Sequence, residues 1–192
     1  MAPSDAPAAS TAPHPLQGPA LLAALRQGGY VLYLRHSSTD QSQTDSDTTH
    51  LENCATQRNL TGGGRAEAEA VGKSIKALGI PIGQVLVSPY CRARETAKLA
   101  FGRGQVVNSL NPKPGADETA NREIIGRELR RLLSQAPGQG TNDVLVAHSN
   151  NIAAGAQLSL AESEIAVFQP VANGFQLIGS IKPDQWSSFV ER

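Results

Sequence analysis

The sequence carries no excess of charge. Its 17 Lys and Arg balance 17 Asp and Glu over 192 residues, so it has no broad basic face of the kind that holds a nucleic-acid backbone. It also lacks a long apolar run. The longest strongly apolar stretch, Tyr30 to Leu34, falls far short of the ~20 residues that cross a bilayer. No basic start is followed by an apolar core, so no secretory signal is visible. Cysteine is scarce: Cys54 and Cys91 cannot by themselves make a four-ligand zinc site. Neither opens a Cys-x5-Arg phosphatase signature, because Leu60 and Ala97 stand where the arginine is needed. From the residues alone a disulfide and two buried thiols both stay open. No internal repeat and no second domain is evident.

What is present reads as one domain behind a tail. Residues Met1 to Gly18 are dominated by Ala, Pro and Ser. Such a segment does not recover its ordering entropy by burial, which predicts a flexible tail over 1–18 and a single domain over 19–192. A short helix is expected from Pro19 to Gln27, then a buried strand at Tyr30–Leu34. Asp40 to Asn53 is polar and acidic and reads as a surface loop. Ala68, Val71, Ile75 and Leu78 recur at helical spacing, with Gly79 and Pro81 as the stop. Gln84–Val87 is a second strand, and Ser88-Pro89 reads as the cap and first turn of a helix running to Phe101. Gln105–Val107 is a short third strand, and Asn108–Ala116 a loop. Ile125, Leu129, Leu132 and Leu133 mark a helix that ends at Pro137-Gly138. Val144–Ala147 is a fourth strand, and Ile165–Phe168 pairs with Phe175–Ile181 through Asn173-Gly174. Near-continuous apolar strands alternating with helices predict an α/β fold with a mostly parallel sheet covered on both faces.

Three of these strands run into chemistry. The first leads to Arg35-His36, the second to Ser88-Pro89-Tyr90-Cys91-Arg92, and the fourth to His148. In an open α/β sheet ligands collect beyond the carboxyl ends of the strands, so the three segments can share one crevice. Two arginines and two histidines without a metal box point to phosphate. Guanidinium donors match phosphate oxygens, and Arg92 falls in a helical first turn, where free N–H groups also favour an anion. One imidazole can then attack phosphorus while the other stabilises the equatorial oxygens. An imidazole of ordinary pKa would lose rate as the pH falls.

With those residues in view, the sequence resembles the histidine phosphatase superfamily, the phosphoglycerate mutase-like proteins. The Arg-His-Gly motif stands here as Leu34-Arg35-His36-Ser37-Ser38-Thr39, and the Leu-Thr-x-x-Gly-Arg helix start as Leu60-Thr61-Gly62-Gly63-Gly64-Arg65. The Ser-x-x-x-Arg-Ala-x-x-Thr-Ala segment is Ser88 to Ala97, and the late strand with its histidine is Val144 to His148. The resemblance runs from Tyr30 to the C-terminus. It implies a three-layer α/β/α sandwich, with His36 as the phosphorylated nucleophile, Arg35 and Arg92 on the phosphoryl group, and His148 completing the pocket. The segment Cys54 to Leu60 together with Cys91 is similar to small exported members. That implies a Cys54–Cys91 disulfide and a periplasmic or otherwise exported location. The Ala- and Pro-rich tail separately fits a chain whose export signal has been trimmed ahead of Met1, with a cytoplasmic protein as the alternative.

Two departures from the family pattern stand out. Ser37 replaces the motif's glycine. Ser149 follows His148 where one branch of the family carries its acid, so the leaving-group acid is sought on the segment after the third strand, at Glu118 in preference to Asp117. Arg58 and Arg65 read as solvated or structural, Arg122 to Arg131 as an exposed helix face with acidic partners, and His14 and His50 as exposed. Asp45-Ser46-Asp47-Thr48-Thr49 matches the aspartyl-nucleophile string of haloacid-dehalogenase phosphatases. Polar Gln41–Thr44 precedes it where a strand is required, so that reading is rejected. Gly72-Lys73-Ser74 lacks the earlier glycine of a phosphate loop. The expectation is a phosphomonoester hydrolase needing no metal or other cofactor, acting on a small phosphate ester or a phosphorylated envelope component, with no nucleic-acid partner and no membrane span. A phosphate-recognition module without turnover is the rival, and a phosphomutase a weaker one. Oligomeric state is not legible.

Overall fold

A computed structural model describes residues 15–111 and 118–190. The Leu16 N–H donates to Ile178 O at 2.6 Å, and residues 1–14 of the expected tail lie outside the described residues. Helix α1 (Gly18–Gln27) carries Pro19 in its first turn and buries Leu21, Leu22 and Leu25. It ends at Gly28, with φ +79°, where a Cβ would stand 2.5 Å from the backbone of Gly140 and Thr141; only glycine fits.

Strand β1 (Val31–Arg35) follows. After a long loop come α2 (Gly62–Ala77), β2 (Ile82–Val87), α3 (Cys91–Phe101) and β3 (Gln105–Val106). Then come α4 (Glu118–Leu133), β4 (Asn142–Ala147), α5 (Ser149–Ala156), β5 (Ile165–Val171), β6 (Gly174–Ile181) and α6 (Gln185–Val190). Neither α5 nor α6 is predicted from the sequence, since both are too short for a helical period to show. The strands form one sheet in the order β3-β2-β4-β1-β5-β6. The β3-β2-β4-β1 half is parallel, and β5 and β6 are antiparallel.

The strand alternation builds two cores. Leu32, Leu34, Val144, Val146, Val85 and Val87 face one side and pack with Leu21, Leu25, Val71, Ile75 and Trp186 from the flanking helices. Val31, Tyr33, Leu145 and Ala147 face the other and meet Leu129, Leu132, Leu133 and Ile152 of α4 and α5. The three-layer α/β/α sandwich thus follows from side chains pointing alternately to opposite faces. The register also does functional work. Arg35 pairs with Ala147 and Val87 with Val146, so the residues that follow, His36, His148 and Ser88, emerge side by side.

Candidate active site

His36 leaves β1 with its N–H on Ala147 O at 3.0 Å, a parallel-sheet bond carried one residue past the strand. Its Nδ1 lies 3.0 Å from Ser37 O. A carbonyl only accepts, so the ring proton sits on Nδ1 and Nε2 keeps its lone pair. Burial is the largest influence on this imidazole and pushes its pKa down; the Ser37 carbonyl opposes it, and the charges of Arg92, Arg35 and Arg58 add to the lowering, to about 3. His36 is therefore neutral and nucleophilic throughout the weakly acidic and neutral range. The loss of rate expected for an ordinary imidazole is displaced well below pH 6.

His148 follows β4, and its ring centroid is 5.3 Å from that of His36. Tyr33 on β1 donates its hydroxyl to His148 O at 2.6 Å, fixing the backbone there. Ser88 Oγ is 2.7 Å from His148 Nε2. With that hydroxyl donating, the proton of the neutral ring is assigned to Nδ1, which is buried without a partner. Burial, then Arg92, His36 and the other arginines, hold the His148 pKa well below its ordinary value. This corrects the expected helix cap. Helix α3 begins at Cys91 with Tyr90 at its N-cap and no side-chain cap, because the Ser88 hydroxyl is committed to the histidine.

Arg92 is in the first turn of α3, as expected, and is buried. Its Cζ stands 4.5 Å over the Tyr90 ring. Nη1 and Nη2 donate to Asp45 Oδ1 and Oδ2 at 2.9 and 3.2 Å. Arg35 donates from Nη1 to Leu160 O at 2.7 Å, and its Nη2 is 3.8 Å from Glu162. Arg58, read from sequence as solvated or structural, has its charge close enough to both histidines to lower their pKa values. Arg35 Nε, Arg58 Nε, Arg92 Nε and His148 Nδ1 are all buried with no hydrogen-bond partner among the described residues. Buried donors are normally satisfied; these four belong to His148 and to three arginines whose charges reach both histidines, an arrangement that can receive an anion.

Ser37 does not crowd that cradle. Its side chain turns away to Ser163 Oγ at 2.7 Å, which is also 2.9 Å from Glu67 Oε2. The carboxylate accepts, so the donors run Ser37 to Ser163 to Glu67. Ser163 has φ +64°, a costly conformation for a residue with a side chain, and its N–H lies on Arg35 O and His36 O at 3.2 and 3.3 Å. Gly64 at the start of α2 would place a Cβ 2.0 Å from Ser38 O, so the Gly62-Gly63-Gly64 run lets that helix press onto the loop after His36.

Cys54 and Cys91 form a disulfide. It ties the loop bearing Asp45 and Arg58 to the residue before Arg92, and Gln57 adds to the tie by accepting from Cys91 N at 2.9 Å. Glu118, the acid expected from sequence, opens α4 as an exposed residue, and the contacts that join the histidines and arginines do not include it; Asp117 lies outside the described residues. Sequence reasoning missed Asp45, Arg58, Ser88 and Glu162. Among the described residues no group of three or more His, Cys, Asp or Glu is arranged to hold a metal ion, and no helix is long and apolar enough to cross a membrane.

The site and fold define a class, and sequence comparison agrees. Residues 31–162 match the model of the histidine phosphatase superfamily, branch 1, more than half of the chain. The protein belongs to that superfamily. Its fold is similar to α-ribazole phosphatase from Shigella flexneri (14% identity, 80% of this chain and 96% of that one, TM-score 0.60). It is also similar to phosphoserine phosphatase from Entamoeba histolytica in complex with 3-phosphoglyceric acid (15%, 80% and 96%, TM-score 0.57). A third similar structure is the protein histidine phosphatase SixA complexed with tungstate (16%, 81% and 98%, TM-score 0.53). At these identities the likeness is one of fold. No curated protein matches the sequence.

Proposed function

We propose that the protein is a phosphomonoester hydrolase working through a phosphohistidine on His36, without a metal. The observation that carries this reading is the pairing of a neutral His36, whose Nδ1–H donates to the Ser37 carbonyl, with four buried donors on Arg35, Arg58, Arg92 and His148 that have no partner among the described residues. The superfamily to which the chain belongs supports it. So does the tungstate, a tetrahedral oxyanion, bound by a protein of the same fold. Nε2 attacks phosphorus, the cradle neutralises charge on the equatorial oxygens, and the leaving oxygen departs opposite Nε2. Water then hydrolyses the phosphoenzyme. The substrate is a small phosphate ester or a phosphorylated envelope component. The disulfide, which persists in oxidising compartments, supports a periplasmic or otherwise exported location.

The test is turnover of 4-nitrophenyl phosphate with and without EDTA. Expected is activity that survives EDTA and is lost in His36→Ala. Phosphate binding without turnover by the intact chain would make it a recognition module instead.

A further inference from the structure

We infer that Asp45 is the proton donor to the leaving oxygen. The inference rests on the phosphohistidine reading above and supplies the group which that reading lacks. An alkyl ester expels a strongly basic oxygen, so cleavage needs an acid positioned beside it. Four carboxylates compete for the role. Glu67 is held by Ser38 N and Oγ and by Ser163 Oγ, in the layer behind Ser37. Glu162 accepts from Thr39 Oγ1 at 2.9 Å and lies 4.0 Å from His36 Nδ1, the nitrogen that does not attack. In-line departure puts the leaving oxygen on the other side of phosphorus from His36, so Glu162 sits behind the nucleophile. Glu118 is exposed at the start of α4.

Asp45 is the carboxylate that shares a guanidinium with the anion cradle. It occupies the Nη1 and Nη2 end of Arg92, while Nε of the same group is buried and unpartnered. A phosphoryl oxygen taken by the Nε edge therefore lies beside Asp45 on one planar fork. The Asp45 side chain is 24% exposed, which fits a residue at the mouth, where the rest of the ester must project. Its position is built: Oδ1 also accepts from the Arg58 N–H at 2.9 Å, and the Cys54–Cys91 bridge anchors that loop to α3.

The charge logic is consistent with an acid loaded by its substrate. In the free protein burial pushes the Asp45 carboxyl up, but the Arg92 hydrogen bond, the Arg58 N–H and the two positive charges outweigh it, and the net pKa is low. A phosphoryl group that shares Arg92 withdraws part of that stabilisation and adds negative charge alongside, so the carboxyl gains proton affinity on binding. A monoanionic ester brings the proton with it.

The step balances. The Nε2 lone pair forms the N–P bond, the P–O bond breaks with its electron pair on oxygen, and the Asp45 proton converts that oxygen to the alcohol. In the second step water adds to phosphorus and gives a proton to the Asp45 carboxylate. The P–N bond breaks, its pair returns to Nε2, and orthophosphate leaves.

The experiment measures kcat/KM of wild type, Asp45→Asn and Asp45→Glu on two esters of one phosphoryl group, 4-nitrophenyl phosphate and 2-phosphoglycerol. The nitrophenolate leaves without a proton; the glycerol alkoxide does not. Asp45→Asn is expected to lose ~10²–10⁴-fold on 2-phosphoglycerol and far less on the aryl ester, with Asp45→Glu restoring most of the alkyl activity. Each variant is compared with itself, so any fraction of unfolded protein cancels in the ratio. Equal losses on both esters would reduce Asp45 to a holder of Arg92, and no loss on either would remove it from the site; both overturn the inference. An alkyl-selective loss in Glu118→Gln rather than in Asp45→Asn would hand the role to Glu118. If the intact chain hydrolyses neither ester, the phosphatase reading itself falls, a result distinguishable from turnover without a selective loss.

Discussion

Leu34 and Arg35 are chain neighbours, yet they belong to two differently made regions. Up to Leu34 the sheet is buried and apolar, and its backbone groups pair in the strand ladders. From Arg35 onward the same strand ends, together with the first turn of α3, carry the half-buried Arg35 and the buried Arg92, His36 and His148, with donors left over. The first region gains stability from burial. The second gives some of it up, since desolvated and unpaired polar groups cost free energy, and holds the capacity to take up an anion. A register fixed by the apolar region aligns the polar one.

Separate damage to each region should show the separation. Leu34→Ala leaves a cavity between β1 and its helices and should lower stability by ~2–5 kcal/mol, while the protein that remains folded turns over normally. Arg92→Ala should do the reverse, costing ~10²–10³-fold in kcat through loss of transition-state contacts with little change in Tm. Chemical denaturation and steady-state kinetics on both variants check this. A large stability loss in Arg92→Ala, or a kcat defect in Leu34→Ala, would merge the two regions.

Within the second region the tie is the disulfide. Closing a separation of 37 residues, it contributes ~3–4 kcal/mol in the loop-entropy model, and it also holds Asp45 and Arg58 against α3. Cys54→Ser/Cys91→Ser should therefore lower Tm and raise KM together. Thiol titration of the unreduced, unfolded wild type should find no free thiol.

A separate effect falls on pH dependence. In the unfolded chain His36 titrates near 6.5, but in the fold only near 3. Below the unfolded value the unfolded state binds the extra proton. Stability therefore falls as the pH drops from about 6.5 toward the folded value, and is fully present above it. Tm of the wild type should decline between pH 7 and pH 4, and His36→Ala should flatten the decline. An unchanged slope would mean that the His36 pKa is not depressed.

The apolar region was the legible one. Near-continuous runs such as Val31–Leu34 and Val144–Val146 announce themselves, and the histidines are found because they follow such runs directly. The rest of the site was not legible, for a physical reason: its residues sit on segments without periodicity. Asp45 and Arg58 lie in the polar loop after β1, and what brings them to Arg92 is a long-range disulfide and a Gln57 hydrogen bond. In the sequence Asp45 reads as one acidic residue of that loop and as part of a rejected aspartyl-nucleophile string. In the sequence Ser88 reads as a helix cap because it stands three residues before α3; its partner in the fold, His148, is 60 residues away. The Ser37 departure from the family glycine found its explanation only in Ser163, also remote in sequence.

The most direct measurement is the site of phosphorylation. Wild-type protein mixed with a fast aryl phosphate, quenched in alkali within the first turnovers and digested, should carry a phosphoryl group on His36 Nε2, and none should form in His36→Ala. A phosphoryl group on another residue, or undiminished turnover by His36→Ala, would contradict the mechanism.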